Sequence, residues 1–262
     1  MKLVCLHDKA EIEAALRRDA EMHLYELGDL DDFFFSQTTW FGLDDRGTLR
    51  SIALLYTAVG AEQPVLVALA REGQTWGVTS LLERMRPVLP RKMYAHLAVG
   101  ASRALEGMGF VVEAPTRHDR MILSDWSPLS AIDTARAVPL GPPDAREIEA
   151  LFADAYPGNW FDPNMLETKT YFGVREDGVL AAVSGVHVVS RTTRVAAIGN
   201  VATRPALRGR GFGRIVVAAT CRALRADVDH IGLNVEARSE AIRLYERLGF
   251  VRIASYEEMR VT

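Results

Sequence analysis

The sequence is poor in cysteine, in lysine and in long hydrophobic runs. Its two cysteines, Cys5 and Cys221, lie far apart, which excludes a disulfide framework and a four-cysteine metal site. The first apolar run ends at Leu6 and charged residues follow at once, unlike a secretory signal peptide. No window approaches the roughly 20 uncharged apolar residues that cross a bilayer. We therefore expect a cytoplasmic protein that binds no metal and no membrane.

The chain also lacks a strong charge of either sign. Its net charge is −3 and its pI is near 6.1, so it has no basic field that would attract nucleic acid. Hydrophobic residues make up 48% and charged residues 25% of the 262 residues, which is typical of soluble globular proteins. The length allows one large domain or two modest ones. We expect a monomer or a homodimer without nucleic acid.

The sequence contains two internal matches that indicate a duplicated fold. The segment 124–143 holds four prolines and predicts a boundary between residues 1–130 and 131–262. The same pattern occurs once before this boundary, starting at Trp40, and once after it, starting at Tyr171. Each time aromatic residues are followed by a glycine turn and an apolar run, which predicts a β-hairpin. Apolar stripes with helical spacing then end at Gly109 and Gly249, and each glycine precedes a phenylalanine and a predicted strand.

The second half alternates helices and strands after its hairpin. The pattern predicts helices over 145–156, 162–170, 211–226 and 239–248, and strands over 194–203, 230–235 and from residue 250 onward. Ser239 is the expected amino-terminal cap of the last helix. The segment 194–203 is rich in small and β-branched residues, as in a buried central strand. The expected fold is therefore a mixed α/β sheet.

A glycine-rich loop follows that central strand and opens a helix. It reads Arg208-Gly209-Arg210-Gly211-Phe212-Gly213-Arg214. The amides at the start of a helix lack intrahelical partners, and glycines allow a ligand to approach the backbone closely. The arginines add positive charge for further phosphate oxygens. The residues therefore predict a diphosphate site, although a solvated strand-to-helix connection is the alternative.

Three nucleotide-binding motifs were compared with this loop. A P-loop requires Gly-Lys followed by Ser or Thr, which is absent, and a dinucleotide fingerprint belongs to the first turn of a parallel unit rather than after a hairpin. The run Arg208-x-x-Gly211-x-Gly213 resembles the pyrophosphate motif of the GNAT superfamily of acyl-coenzyme A dependent N-acyltransferases. Downstream, the segment 241–250 resembles that family's next motif, and the resemblance covers about Pro139 to Thr262. It implies two tandem GNAT-like domains, each with a mixed, mostly antiparallel central sheet flanked by helices.

The resemblance also implies a role for each matching residue. Tyr245 would be the general acid that protonates the departing coenzyme A thiolate, although a core aromatic is the alternative. Acetyl-CoA would be the co-substrate. The residues implied in its binding are Val201, Ala202, Thr203, Arg208, Gly209, Arg210, Gly211, Phe212, Gly213 and Arg214, together with Asn234. Asn234 is included because Arg238 and Ser239 stand where the family often has an asparagine.

The sequence leaves the general base and the acceptor open. His187 and Glu236 are candidate bases, each with a purely structural alternative. The aromatic loop 156–161 either lines an acceptor pocket or packs between domains. In the first half Leu105 takes the place of Tyr245, and the segment 70–77 has Glu72 and no Arg-x-x-Gly-x-Gly. That half is therefore expected to be degenerate, either structural or acceptor-shaping, and its acidic residues from Glu26 to Asp32 either attract an amine or form a solvated face.

The leading hypothesis is an N-acetyltransferase that acetylates a primary amine of a small molecule or peptide. Direct attack by the amine on the thioester is the implied mechanism. A non-catalytic acyl-CoA sensor or interaction protein is the alternative. A generic nucleotide-binding module is a third hypothesis, which the absent lysine disfavours.

Overall fold

A computed structural model describes residues 1–57 and 63–262, and the chain forms two compact units. The first unit comprises Met1–Arg120, Val235–Ser239 and Arg252–Thr262, and the second comprises Met121–Asn234 and Glu240–Val251. The carboxyl-terminal segment thus belongs to the first unit, although the sequence interpretation assigns it to the second half. The division of function between residues 1–130 and 131–262 stays a prediction.

The elements of the described chain follow in sequence order. From residue 1 to 123 they are β1 (Lys2–Leu6), α1 (Lys9–Leu16), α2 (Leu24–Gly28), α3 (Asp32–Phe35), β2 (Thr38–Asp45), β3 (Thr48–Tyr56), β4 (Val65–Ala68), α4 (Thr75–Met85), β5 (Met93–Ala98), α5 (Ser102–Gly107) and β6 (Thr116–Leu123). From residue 127 they are α6 (Ser127–Ser130), β7 (Val138–Leu140), α7 (Ala145–Ala155), β8 (Tyr171–Glu176), β9 (Val179–Ser190), β10 (Val195–Thr203), α8 (Phe212–Leu224), β11 (His230–Glu236), α9 (Ile242–Arg247) and β12 (Phe250–Val261). Short 3₁₀ helices cover Arg17–Asp19, Pro142–Asp144, Pro163–Thr168 and Pro205–Leu207.

The strands of the two units follow the same pairing scheme. In the first unit the neighbours run β1-β2-β3-β4-β5-β12, and in the second they run β7-β8-β9-β10-β11. The first three pairings of each series are antiparallel, and the fourth, β4 with β5 or β10 with β11, is parallel. This agreement confirms the predicted duplication and the mixed, mostly antiparallel sheets. Both predicted hairpins are present, as β2–β3 and β8–β9.

The core of the second unit lies on both faces of its sheet. On one face Ile148, Leu151 and Phe152 of α7 pack against β8, β9 and β10, because their spacing places them on one side of the helix. On the other face Phe212 and Val216 of α8 pack against β8 and β9. The glycine-rich loop precedes α8 directly, so burial of this apolar stripe fixes the loop at the end of β10.

In the first unit, the helices α4 and α5 also bury apolar side chains against the strands. Residues of α4 and α5 pack with apolar side chains of β2 to β5 and with Met259 and Val261 of β12. Within the described residues, no helix is both long and apolar enough to cross a membrane.

Two details differ from the sequence interpretation. Ser239 does not cap the last helix, because α9 begins only at Ile242 and Ala241 is its amino-terminal cap residue. After α5, the segment that follows Gly109 makes a single β-bridge at Val112, and the next strand begins at Thr116. The predicted glycine ends are confirmed, since Gly109 and Gly249 have φ angles of 92° and 91°.

Candidate functional site

The central strand β10 changes its pairing halfway along its length. Its parallel pairing with β11 runs from Val195–His230 to Ile198–Leu233. Its antiparallel register with β9 then shifts between Gly199 and Ala202, which places a β-bulge in the strand. Val201 and Thr203 lie beyond the segment that pairs with β11, although Thr203 still pairs with Ala182 of β9, and Asn234 is the first residue of β11 after that segment. The predicted pantetheine-binding residues thus border the place where the two strands stop pairing.

The glycine-rich loop has the backbone geometry that its sequence predicts. Gly209 and Gly211 have φ angles of 77° and 84°, in the left-handed region that favours glycine. Gly211 is the amino-terminal cap residue of α8 and supplies no side-chain cap. The first amides of this 13-residue helix therefore receive no side-chain acceptor from the cap position, and they lie at the positive end of the helix dipole.

Gly213 brings three parts of the predicted site together. A Cβ atom at this position would lie 3.4 Å from Leu244 Cδ2 and 3.5 Å from Thr203 Oγ1. The end of β10, the start of α8 and the helix α9 thus meet at the loop. Tyr245 follows Leu244 on α9; its side chain is buried, and its ring packs edge-on against Phe250 with centroids 5.9 Å apart. The structure therefore places the predicted general acid next to a residue that contacts the glycine-rich loop.

The three loop arginines are exposed, and two of them contact the protein. Arg208 donates from Nε to the Thr203 carbonyl and from Nη2 to the Ala155 carbonyl, each at 3.3 Å. Arg210 forms an ion pair with Glu176. Phe212, which the sequence analysis included for its amide, buries its ring in the core and lies under the Arg210 guanidinium at 5.1 Å.

Arg136 and Glu176 are residues of this region that sequence reasoning missed. Arg136 forms a second ion pair with Glu176, and its guanidinium lies 5.0 Å from the Phe212 ring centroid. The hydrogen bond from Arg136 and the charge of Arg210 hold the pKa of Glu176 below its usual range. No motif marks either residue, because Glu176 lies 34 positions before Arg210 and Arg136 lies 76 positions before Phe212, and both reach the loop only through the fold.

Sequence reasoning also missed a hydrogen-bond chain at the bulge. Asn200 is buried and has a φ angle of 53°, a conformation that asparagine tolerates better than most residues. Its Nδ2 donates to the Tyr171 hydroxyl at 2.8 Å, which in turn donates to the Val186 carbonyl at 3.1 Å. Asn159 Nδ2 donates to Asn200 Oδ1 at 3.3 Å. The chain thereby ties the aromatic loop to the bulge, and a lone asparagine in an apolar strand was its sequence signal.

The aromatic loop borders a cavity of about 200 Å³. Phe152, Tyr156, Asn159 and Phe161 are among the residues that line it, and Glu149 supplies a carboxylate. The rings of Phe152 and Phe161 pack 5.2 Å apart, and Phe161 also packs on Tyr171. The aromatic loop, which the sequence predicts as one possible lining of the acceptor pocket, therefore borders this cavity beside the Asn159–Asn200 hydrogen bond.

The two candidate bases have different surroundings. The ring of His187 on β9 lies against Gly199, where a Cβ atom would approach His187 Cδ2 to 1.8 Å. A side chain at position 199 would therefore displace the imidazole from the bulge. Glu236 is exposed at the end of β11.

The corresponding loop of the first unit has its charges engaged within that unit. Arg71 binds both carboxylate oxygens of Asp19, with Nη2 to Oδ1 at 2.7 Å, and Glu72 accepts from Arg117 at 2.7 Å. Leu105, at the place of Tyr245, is fully buried in the apolar core.

Comparisons with known proteins agree with this geometry. Residues 139–250 match the model of the acetyltransferase (GNAT) family. Residues 139–250 are therefore similar to a GNAT acetyltransferase domain. No curated protein matches the chain.

Solved structures extend the similarity of fold to the whole chain. A GCN5-related N-acetyltransferase from Sphaerobacter thermophilus is 18% identical, with a TM-score of 0.59 over 98% of this chain and 95% of its own. A tandem GNAT protein from the clavulanic acid biosynthesis pathway is 15% identical, with a TM-score of 0.54 over 100% and 98%. A Drosophila protein is 12% identical, with a TM-score of 0.70 over 99% and 98%. At these identities the likeness concerns the fold, and this fold is the tandem GNAT arrangement expected from the sequence.

Proposed function

We propose that this chain transfers the acetyl group of acetyl-CoA to a primary amine of a small molecule or peptide. The observation that supports this most directly is the convergence at Gly213 of the end of β10, the amino terminus of α8 and the helix that carries Tyr245. A diphosphate needs unpaired amides, a thioester needs free strand backbone, and a departing thiolate needs a proton donor. The second unit offers a candidate for each: the amides at the start of α8, the backbone of Val201 at the bulge between the paired registers, and Tyr245. Thr203 would join Val201 once its carbonyl gives up its contact with Arg208.

The loop would hold the pyrophosphate through the amides of Gly209 to Arg214. Amides at a helix start carry partial positive charge and form short hydrogen bonds to anionic oxygens. Arg214 is exposed beside Gly211, and Arg210 would exchange its contact with Glu176 for one with phosphate. The backbone of Val201 and Thr203 would bind the pantetheine arm, and Asn234 would face it from β11.

The reaction needs one proton removed and one proton supplied. The neutral amine attacks the thioester carbonyl carbon, and the resulting tetrahedral intermediate collapses as the carbon–sulfur bond breaks. Tyr245 would donate its hydroxyl proton to the thiolate, which leaves as coenzyme A. His187 is the base that we favour for the proton of the attacking amine, because its ring lies against Gly199 at the bulge.

A thiol-release assay with acetyl-CoA and a panel of primary amines tests the proposal. We expect release of coenzyme A that depends on the amine, and a Tyr245→Phe variant with a kcat lowered 10²-fold or more, the scale of general acid catalysis. Tyr56→Phe, which removes a hydroxyl in the first unit, is the matched control and should keep its kcat. Acetyl-CoA binding without turnover on any amine would instead support the sensor hypothesis. An unchanged kcat of Tyr245→Phe across pH 6 to 9 would refute the assigned acid.

A further inference from the structure

A cluster of polar and aromatic side chains occupies one face of the sheet in the first unit. Tyr94 and His96 alternate on β5, and Tyr256 and Glu258 alternate on β12, so each pair shares a face of its strand. Glu258 lies directly opposite His96 in the antiparallel register. His118 on β6 completes this group, which we name the Glu258 cluster.

Hydrogen bonds and ring contacts hold the cluster in place. The Tyr94 hydroxyl donates to Glu258 Oε2 at 2.8 Å, and the Tyr256 hydroxyl donates to Glu258 Oε1 at 2.7 Å. The Tyr256 ring stacks between those of His96 and His118, with centroids 5.8 and 5.5 Å away. The carboxylate is therefore fixed by both of its oxygens, and each hydroxyl oxygen keeps lone pairs that can accept a further hydrogen bond.

The charge of Glu258 has no permanent counter-ion among the residues that the structure describes. Its ion-pair neighbours are the imidazole Nδ1 atoms of His96 and His118, both 3.8 Å from Oε1, which is too long for a hydrogen bond. Burial lowers the pKa of His96, so this ring is neutral near pH 7. Burial acts to raise the pKa of Glu258, but the imidazoles and hydroxyls outweigh it and keep the carboxyl ionised.

The buried guanidinium beneath the cluster, that of Arg120, is already paired. Arg120 is fully buried under the Tyr256 ring at 5.8 Å, and its Nη1 lies 3.7 Å from Glu26 Oε2. Glu26 also contacts His23 at 3.0 Å. Arg120 is thus paired with a carboxylate on α2. Within 4 Å, the ion-pair neighbours of Glu258 in the described residues are the two imidazoles, while Arg260 follows on the same face of β12 opposite Tyr94 and is exposed.

Ligands from solvent can reach the cluster. The side chains of Glu258, His96 and His118 remain 16%, 25% and 19% exposed. Within the described chain, no hydrogen bond occupies the ring nitrogens of His96. The partly exposed groups are thus mainly acceptors: the Glu258 carboxylate, the Tyr94 hydroxyl oxygen and a neutral imidazole nitrogen, with Tyr256 buried behind them.

We infer that the Glu258 cluster binds the protonated amino group of a small organic amine. An ammonium group is a compact cation with three N–H donors, which matches a carboxylate flanked by further acceptors. A metal ion fits less well, because no group of three His, Cys, Asp or Glu side chains in the described residues has the geometry of a metal site. An anion would meet the Glu258 charge. The inference goes beyond acyl transfer and does not depend on it.

Histidine NMR of the full chain, without acyl-CoA, tests this inference. The chain has six histidines, so their ring signals can be assigned by single substitutions. Titration with n-butylamine at pH 7 should shift the ring protons of His96 and His118, whereas His7 and His230 should not respond. Titration with n-butanol, which has no charge, should leave all of them unchanged.

Amino-acid substitutions test whether the Glu258 carboxylate binds the amine. Glu258→Gln should weaken butylamine binding at least tenfold, and His96→Phe, which keeps a ring but loses the acceptor, should weaken it several-fold. Glu257→Gln is the matched control, because Glu257 alternates to the opposite face and accepts from the Gly100 amide; its affinity should stay within twofold. Thermal melting of each variant shows whether it folds.

Three results would overturn the inference. They are equal responses to butanol and butylamine, unchanged affinity in Glu258→Gln, and a shift confined to His187 in the GNAT domain. None of them bears on coenzyme A release, so a failure here and a failure of the proposed acetyl transfer are distinguishable.

Discussion

Replacement of Asn200 separates two contributions to stability at the β-bulge. One is the set of hydrogen bonds made by the Asn200 side chain, and the other is its left-handed backbone conformation. The Asn200 side chain donates to Tyr171 and accepts from Asn159, and its backbone has a φ angle of 53°. Asn200→Gly removes the side chain but tolerates this φ angle, and leaves the buried Tyr171 hydroxyl without its donor. The loss of such a partner costs about 1–3 kcal/mol. Asn200→Ala adds the penalty of an L-residue in the left-handed region, about 1–2 kcal/mol more.

We therefore expect both variants to be destabilised, with the alanine variant the less stable of the two. Urea denaturation followed by tryptophan fluorescence measures this, and the midpoints should fall in the order wild type, glycine, alanine. A glycine variant as stable as the wild type would refute the role of the hydrogen-bond chain. Equal midpoints for glycine and alanine would refute the backbone penalty.

Three further predictions concern single charged or titratable groups. Glu176→Gln should release Arg210 and Arg136 for phosphate and strengthen acetyl-CoA binding, measured by calorimetry at low salt. Glu106→Gln in the first unit is the exposed control, and weaker binding by the Glu176 variant would contradict this prediction. His187→Gln should lower kcat at pH 7 at least tenfold with little change in the KM for acetyl-CoA, and full activity would show that another group accepts the proton. Burial, with the Glu26 and Asp31 charges, raises the pKa of Asp29 from the ordinary aspartate value of about 3.9 to about 8. Because the native state holds this proton at pH values where the unfolded chain has released it, Asp29 lowers stability as pH rises through this window. Asp29→Asn should therefore be more stable than the wild type at pH 9 and equal to it near pH 4; equal stability at both pH values would exclude the raised pKa.

Local patterns were sufficient to predict the elements but not all of their partners. The two hairpins follow from aromatic and β-branched runs around glycine turns, and both glycine helix ends follow from spacing alone. The pairing of β12 with β5 does not follow from its sequence, because an alternating strand pattern specifies a buried face and not a neighbour. The amino terminus of α9 was predicted too early, since a serine before an apolar stripe is only a potential cap.

The candidate site shows the same limit at the level of single residues. The glycine-rich loop is contiguous, so its backbone geometry could be predicted from seven residues. Tyr171 and Asn159 lie 29 and 41 positions before Asn200, and the three become neighbours only when the aromatic loop after α7 packs against β8 and β10. Glu176 and Arg136 likewise reach the loop only in the folded unit. The geometry of a contiguous segment could therefore be predicted from the sequence, whereas the contacts that distant residues make around the candidate site could not.

The charges of the two equivalent loops support a single diphosphate site. In the first unit Arg71 is held by both oxygens of Asp19, and burial, which acts to raise the pKa of that carboxyl, is outweighed by Arg71. Glu72 in the same loop adds a negative charge, so phosphate binding there would require an ion pair to break and like charges to approach. In the second unit Arg208 and Arg214 are exposed, and Arg210 shares one carboxylate with Arg136. A diphosphate at this loop would meet a net positive charge even with Glu176 in place, and this supports our proposal that coenzyme A binds the second unit.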